Sequence, residues 1–138
     1  MASVSLSKVP VRLTLAIHGE VGTMTANTDA ILALDWDGTI TCHAAALSIM
    51  AHRFDRVVIV TMNDTVTAKM AAAALSFPEA KIRVEICPED QSMDFSGYAD
   101  WKARTCLSHD VHLMIDDDPG VVAACQRAGV PALLVSSP

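Results

Sequence analysis

Asp35 and Asp37 stand two residues apart in the run Asp35-Trp36-Asp37-Gly38-Thr39, and a triplet, Asp116-Asp117-Asp118, precedes Pro119. Carboxylates at i and i+2 share one face of an extended chain. As the backbone leaves a sheet at Gly38, the two side chains can serve different sides of one small site. Asp116 and Asp117 add negative charge, and uncompensated carboxylates this close repel one another and take up protons. A hard divalent cation removes the conflict, and Mg²⁺ favours one or two carboxylates with waters and a substrate phosphate. Thr61 offers a hydroxyl and Lys102 a compact positive charge. Metal, carboxylate nucleophile, second carboxylate and lysine together suit phosphoryl transfer, whose catalysis is mainly positioning and charge neutralisation.

The elements that must hold these residues are legible as alternating runs. Ile31-Leu32-Ala33-Leu34 ends at Asp35, Val57-Val58-Ile59-Val60 at Thr61, and Val111 to Ile115 at Asp116. Ile82 to Ile86 and Ala132 to Val135 complete a set of five short apolar runs. Such runs predict strands buried on both faces, hence a parallel sheet. Between them the sequence predicts helices over Ala44 to Phe54, Thr65 to Phe77, Tyr98 to Leu107 and Pro119 to Ala128. Asp64 and Asp118 are the expected N-caps of the second and fourth, with Pro78 and Gly129 as stops. The expected fold is therefore α/β: a Rossmann-like three-layer sandwich with a mostly parallel five-stranded sheet and right-handed crossovers. Ligands of such sheets bind outside the carboxyl ends of the strands, where Asp35, Thr61 and Asp116 fall.

The chain has 138 residues, one domain's worth, with 51% hydrophobic and 19% charged residues, which excludes a disordered composition. Ten Lys and Arg against sixteen Asp and Glu give a net charge of −6. That balance argues against a long contact with a polyanion, though not against one phosphate held through a metal. Cys42, Cys87, Cys106 and Cys125 form no C-x-x-C pair. Reduced, mostly buried thiols in a cytoplasmic setting are expected. No apolar run reaches membrane-span length, so no membrane partner is expected, and the N-terminus makes a poor signal peptide. Residues 1–29 read as an N-terminal extension, an extra strand or hairpin: Val11, Leu13, Leu15 and Ile17 alternate with Arg12, Thr14 and Ala16, and His18-Gly19-Glu20 would turn. An added edge strand or a homo-oligomer contact is its expected role, and Met24 is an alternative start.

At the chemistry-bearing residues the sequence resembles the haloacid dehalogenase-like superfamily, in its phosphatase branch. Ile31 to Thr39 looks like that family's first motif, Ile59-Val60-Thr61 its second, Lys102 its third, and Leu113-Met114-Ile115-Asp116-Asp117 its fourth. The resemblance spans roughly residues 30–138. It implies that Asp35 attacks phosphorus and forms an aspartyl-phosphate. It implies that Asp37 protonates the leaving oxygen and then activates water. Thr61 and Lys102 would hold the phosphoryl group, with Lys102 steadying Asp35. Asp35, Asp116 and the backbone carbonyl of Asp37 would hold Mg²⁺, with Asp117 as a further ligand or just behind.

Positions 40–60 and the 40 residues between Thr61 and Lys102 leave no room for the cap domain that many relatives insert. Residues 30–138 are thus expected to be a capless catalytic domain with an open site. Cys87 to Gly97 is the expected substrate-contact loop, and its acidity argues against a polyanion clamp. The implied function is Mg²⁺-dependent phosphomonoester hydrolysis; the substrate could be a nucleotide, a nucleic-acid end, a sugar phosphate or a phosphoprotein. Transfer to an acceptor other than water uses the same residues. The competing reading is a non-catalytic binding or assembly module that uses its N-terminal strand. Trp36 is expected under the site or at its entrance, Trp101 in the core, His109 and His112 in loop or capping roles, and His43 within reach of substrate.

Overall fold

In the computed structural model, residues 12–17, 20–25, 29–91 and 95–136 are described, with side chains from 29–91 and 97–136. The elements in order are β1 (Arg12–Ile17), β2 (Glu20–Thr25), β3 (Ile31–Leu34), α1 (Thr41–Ala51), β4 (Arg56–Thr61) and α2 (Ala68–Leu75). They continue with β5 (Ile82–Ile86), α3 (Phe95–Ser108), β6 (Leu113–Asp116), α4 (Pro119–Arg127) and β7 (Ala132–Leu134). β3 to β7 form one five-stranded sheet in the order β5-β4-β3-β6-β7, and every pair in it is parallel. The fold is α/β and Rossmann-like.

Alternation along the strands divides the core in two. Leu32, Leu34, Val57 and Ile59 point to the face that carries Leu47 of α1 and Ala71 and Leu75 of α2. Ala33, Val58, Val60 and Met114 point to the opposite face, against Trp101 and Cys106 of α3 and Val121 and Cys125 of α4. Trp101 is a core residue, as expected. The central strands β3, β4 and β6 are buried almost throughout. The edge strands β5 and β7 are only partly covered.

The chain runs outward from β3 to β4 and β5, then α3 carries it back to β6 on the other side of β3. The connections leaving β3 and β6 therefore diverge and open a crevice at their carboxyl ends.

β1 and β2 pair antiparallel, Ile17 with Glu20 through Arg12 with Thr25, in a sheet of their own. The five-stranded sheet takes no strand from this hairpin, so the added-edge-strand expectation is not met. The expected turn at His18 and Gly19 and the stretch before Arg12 lie outside the described residues.

Three helices end alike. Val130 donates to the Cys125 carbonyl, Phe77 to Ala72 and Val111 to Cys106, each a six-residue closure around a left-handed residue. Those residues are Gly129 (φ 86°), Ser76 (φ 48°) and Asp110 (φ 53°).

Three helix starts differ from expectation, α3 beginning at Phe95 rather than Tyr98. α1 begins at Thr41 rather than Ala44, directly after the turn that follows β3. α2 begins at Ala68, capped by Thr67 rather than Asp64, with Met70 N–H donating to Thr67 Oγ1 at 3.2 Å. Asn63 holds the preceding residues in a side-chain turn, accepting from the Thr65 N–H at 3.0 Å, and this delays the helix. No helix among the described residues is long and apolar enough to cross a membrane.

Candidate active site

The peptide after β3 is anchored to the sheet, because Asp35 N–H donates to the Ile115 carbonyl of β6 at 3.1 Å. Asp37 (φ −69°, ψ 126°) and Gly38 (φ 79°, ψ −12°) then occupy the two central positions of a type II turn. The second of these needs a positive φ, which glycine supplies without strain. The turn sends Asp37 outward into solvent and brings Thr39 back inside, fully buried.

Lys102 is the largest wholly buried side chain, at 0% exposure. Its Nζ donates to Asp35 Oδ1 and to Asp116 Oδ2, both at 2.7 Å. The Tyr98 ring, one helical turn earlier on α3, lies 4.8 Å from the same nitrogen. Thr39 Oγ1 lies 3.2 Å from Asp35 Oδ2 and 3.4 Å from Asp117 Oδ1. Asp118 N–H donates to Asp116 Oδ1 at 3.0 Å. Asp118 itself caps α4, accepting from Gly120 N–H at 2.8 Å, with Pro119 at the first helical position.

Thr61, the last residue of β4, is buried, and its carbonyl accepts from Cys87 N–H at 2.8 Å. Its hydroxyl accepts from Asn63 N–H at 3.0 Å, while Asn63 Nδ2 donates to Asp37 Oδ2 at 3.3 Å. A cavity of about 440 Å³ opens over these groups. It is lined by Asp35, Asp37, Thr61, Met62, Tyr98 and the Asp116–Pro119 segment.

The electrostatics follow from burial. Desolvation pushes the Asp35 carboxyl up to about 7, against the pull of Lys102 and with the help of Asp116. Asp116 is raised as well, again by burial. Burial alone would lower Lys102, but Asp116 and Asp35 outweigh it and hold the ammonium above its ordinary range. Burial also raises the Tyr98 phenol, to about 12.

One ammonium thus faces three carboxylates, Asp35, Asp116 and Asp117, each offering a ligand oxygen within 4.8 Å of the others. An all-oxygen donor set with this charge excess fits a hard divalent cation. The Asp37 side chain is not in that group; Asn63 holds it on the other side of the turn.

The structure therefore brings together Asp35, Lys102, Asp116 and Asp117, with Asp37 and Thr61 on the wall of the same cavity. Thr39, Asn63 and Tyr98 join them without having been singled out. The spacing of Asn63 two residues after Thr61 and of Tyr98 four before Lys102 was the available signal. Trp36 packs beneath the turn with the α1–α2 core rather than lining the cavity. His43 bonds to the Ser136 carbonyl at 2.6 Å. His109 meets Glu85 at 3.0 Å, and His112 Nδ1 accepts from Ile31 N–H at 3.1 Å; both are loop roles. Cys87, Cys106 and Cys125 are buried and Cys42 is exposed, none in a disulfide.

No family model matches the chain, and no curated protein does. Among solved structures, the haloacid dehalogenase-like domain of effector protein Lem4 from Legionella pneumophila, an inactive mutant, is similar in fold. The two share 14% identity over 79% of this chain and 86% of that one, with a TM-score of 0.45.

Proposed function

We propose that this protein is a Mg²⁺-dependent phosphomonoester hydrolase of the haloacid dehalogenase type, capless, working through an aspartyl-phosphate on Asp35. The observation that carries the reading is the Lys102 bridge between Asp35 and Asp116, with Asp117 alongside. A binding module has no use for a buried ammonium shared between carboxylates at the mouth of a parallel sheet.

In this reading Lys102 and Thr39 fix the two Asp35 oxygens, so that one lone pair is aimed at phosphorus. An Asp35 oxygen forms a bond to phosphorus as the ester P–O bond breaks. Asp37, exposed and held by Asn63, gives its proton to the departing oxygen. The resulting Asp37 carboxylate then takes a proton from water, whose oxygen attacks phosphorus and releases Asp35. Thr61, on the cavity wall, holds an equatorial oxygen of the phosphoryl group, while Lys102 acts from beneath, bound to Asp35 and Asp116 rather than to phosphate. Asp35, Asp116 and Asp117 would hold the Mg²⁺, which when bound supplies neutralising charge to the phosphoryl group and the buried carboxylates.

The test is phosphate release from a panel of phosphoesters by wild type with Mg²⁺, wild type with EDTA, and Asp35→Asn. Release that needs both the metal and Asp35 is the expected result. A folded, Mg²⁺-loaded protein that releases no more phosphate than Asp35→Asn would refute the reading and favour a binding module.

A further inference from the structure

The charge around the cavity bears on what the phosphoryl group arrives attached to. Asp35, Asp37, Asp116, Asp117 and Asp118 all line it, and no lysine or arginine does among the described residues. Lys102, beneath the floor, has no exposed surface and gives its bonds to Asp35 and Asp116. Arg104, on the exposed side of α3, donates to Gln91 at 2.7 Å and is not part of the lining. Three exposed cations are grouped elsewhere in the fold. Arg56, Lys81 and Arg83 line a separate groove by the amino ends of β4 and β5.

With Asp37 protonated as the acid, four carboxylates against one ammonium leave an excess of negative charge that a single divalent cation reduces but does not cancel. A phosphomonoester dianion then enters a region that is still negative, and any further anionic group on it would have no partner. Part of the wall is apolar: Met62, 46% exposed, and Tyr98 also line the cavity. Such a wall suits the methylene stem of a cationic side chain, with the charged end among Asp37, Asp117 and Asp118.

Building on the phosphatase reading, we propose that the site selects phosphomonoesters whose carrier bears positive charge beside the ester oxygen, and disfavours carriers with additional phosphates or carboxylates. The shared chemistry is a cation a few atoms from the phosphoryl group. A phosphorylated residue flanked by lysine or arginine provides it, and so does an amino-alcohol phosphate. Nucleoside polyphosphates and nucleic-acid ends do not.

The experiment pairs esters matched in leaving group and opposed in charge. Phosphoserine peptides flanked by arginine are compared with the same peptides flanked by glutamate, and phosphoethanolamine with glycerol phosphate, all with Mg²⁺. Turnover is read as kcat/KM on wild type, and binding by calorimetry on Asp35→Asn. We expect the cationic member of each pair to be favoured at least tenfold at low ionic strength, with the ratio shrinking as salt screens the rim. Asp118→Asn, which keeps the helix cap, should shrink it further. The peptide and amino-alcohol arms show which source is preferred.

Equal or reversed preference, with phosphate still released, overturns the charge selection and leaves the phosphatase reading standing. Selective binding without turnover does the opposite. Neither binding nor turnover overturns both.

Discussion

Replacing Asp35 with asparagine should stabilise the metal-free protein at neutral and alkaline pH while it abolishes phosphate release. Asparagine nearly matches the carboxyl in shape and stands in for its neutral form. The folded Asp35 carboxyl sits at about 7 against an ordinary 3.8. A carboxyl raised in this way favours the folded state fully below pH 4, and that contribution is lost as the pH rises through about 7. The two values differ by about three pH units, worth about 1.4 kcal/mol each, so ionised Asp35 costs the fold about 4 kcal/mol by pH 8. The measurement is urea unfolding in EDTA from pH 4 to pH 8, wild type beside Asp35→Asn. The difference in unfolding free energy should grow with pH and level off near 4 kcal/mol, a midpoint shift of roughly 2 M urea for a chain of this size. Taking the difference cancels the groups that do not interact with Asp35, a set that excludes Asp116 and Lys102. A difference that does not change with pH, or an asparagine variant that is less stable at pH 8, would refute the account of Asp35 as a carboxyl held above its ordinary range by burial.

Lys102→Met should destabilise the metal-free protein at pH 8 by about 3 to 5 kcal/mol, because it leaves Asp35 and Asp116 buried without their ammonium; chemical unfolding reads this directly. Mg²⁺ should raise the melting temperature more at pH 8 than at pH 5, since a liganding carboxyl must first lose its proton, and at 100 times Kd the gain is about 2.7 kcal/mol. Equal shifts at the two pH values would argue against Asp35 as a ligand. Asn63→Ala should lower kcat by roughly tenfold, part of the hundredfold or more that general acid–base catalysis supplies, and move the pH profile, because Asp37 loses the side-chain donor that holds it; a change in KM alone would assign Asn63 to substrate binding instead. Ser76→Gly and Asp110→Gly should each stabilise by about 1 kcal/mol, the relief of a side chain in the left-handed region, readable as a rise in the melting temperature.

The strand ends that carry Asp35, Thr61 and Asp116 were legible because a parallel strand buried on both faces is a continuous apolar run that stops where the site begins. Asp118 was legible because capping is local chemistry, with Pro119 confirming the position. Lys102 was placed through its register with the other motifs; nothing local marks a helical lysine as buried. The sequence did not reveal what Thr39, Asn63 and Tyr98 do, since each acts through a side chain whose partner is set by the turn or the helix around it. The start of α2 was misread for a related reason. Asp64 and Thr67 both have capping side chains, and the choice between them was made by Asn63, which ties down the Thr65 backbone first.

Lys102 reaches the site from inside α3, between Trp101 and Ala103 in the packed layer against the sheet. The charged floor of the cavity and the hydrophobic interior are thus one assembly, joined through a single residue. Its three bonded members, Lys102, Asp35 and Asp116, sit on α3 and at the ends of β3 and β6, so they stay together as long as α3 stays packed on the sheet. Warming should accordingly produce no lasting folded-but-inactive form: activity should persist until α3 leaves the sheet and vanish with it, so that heat inactivation and heat unfolding trace one curve.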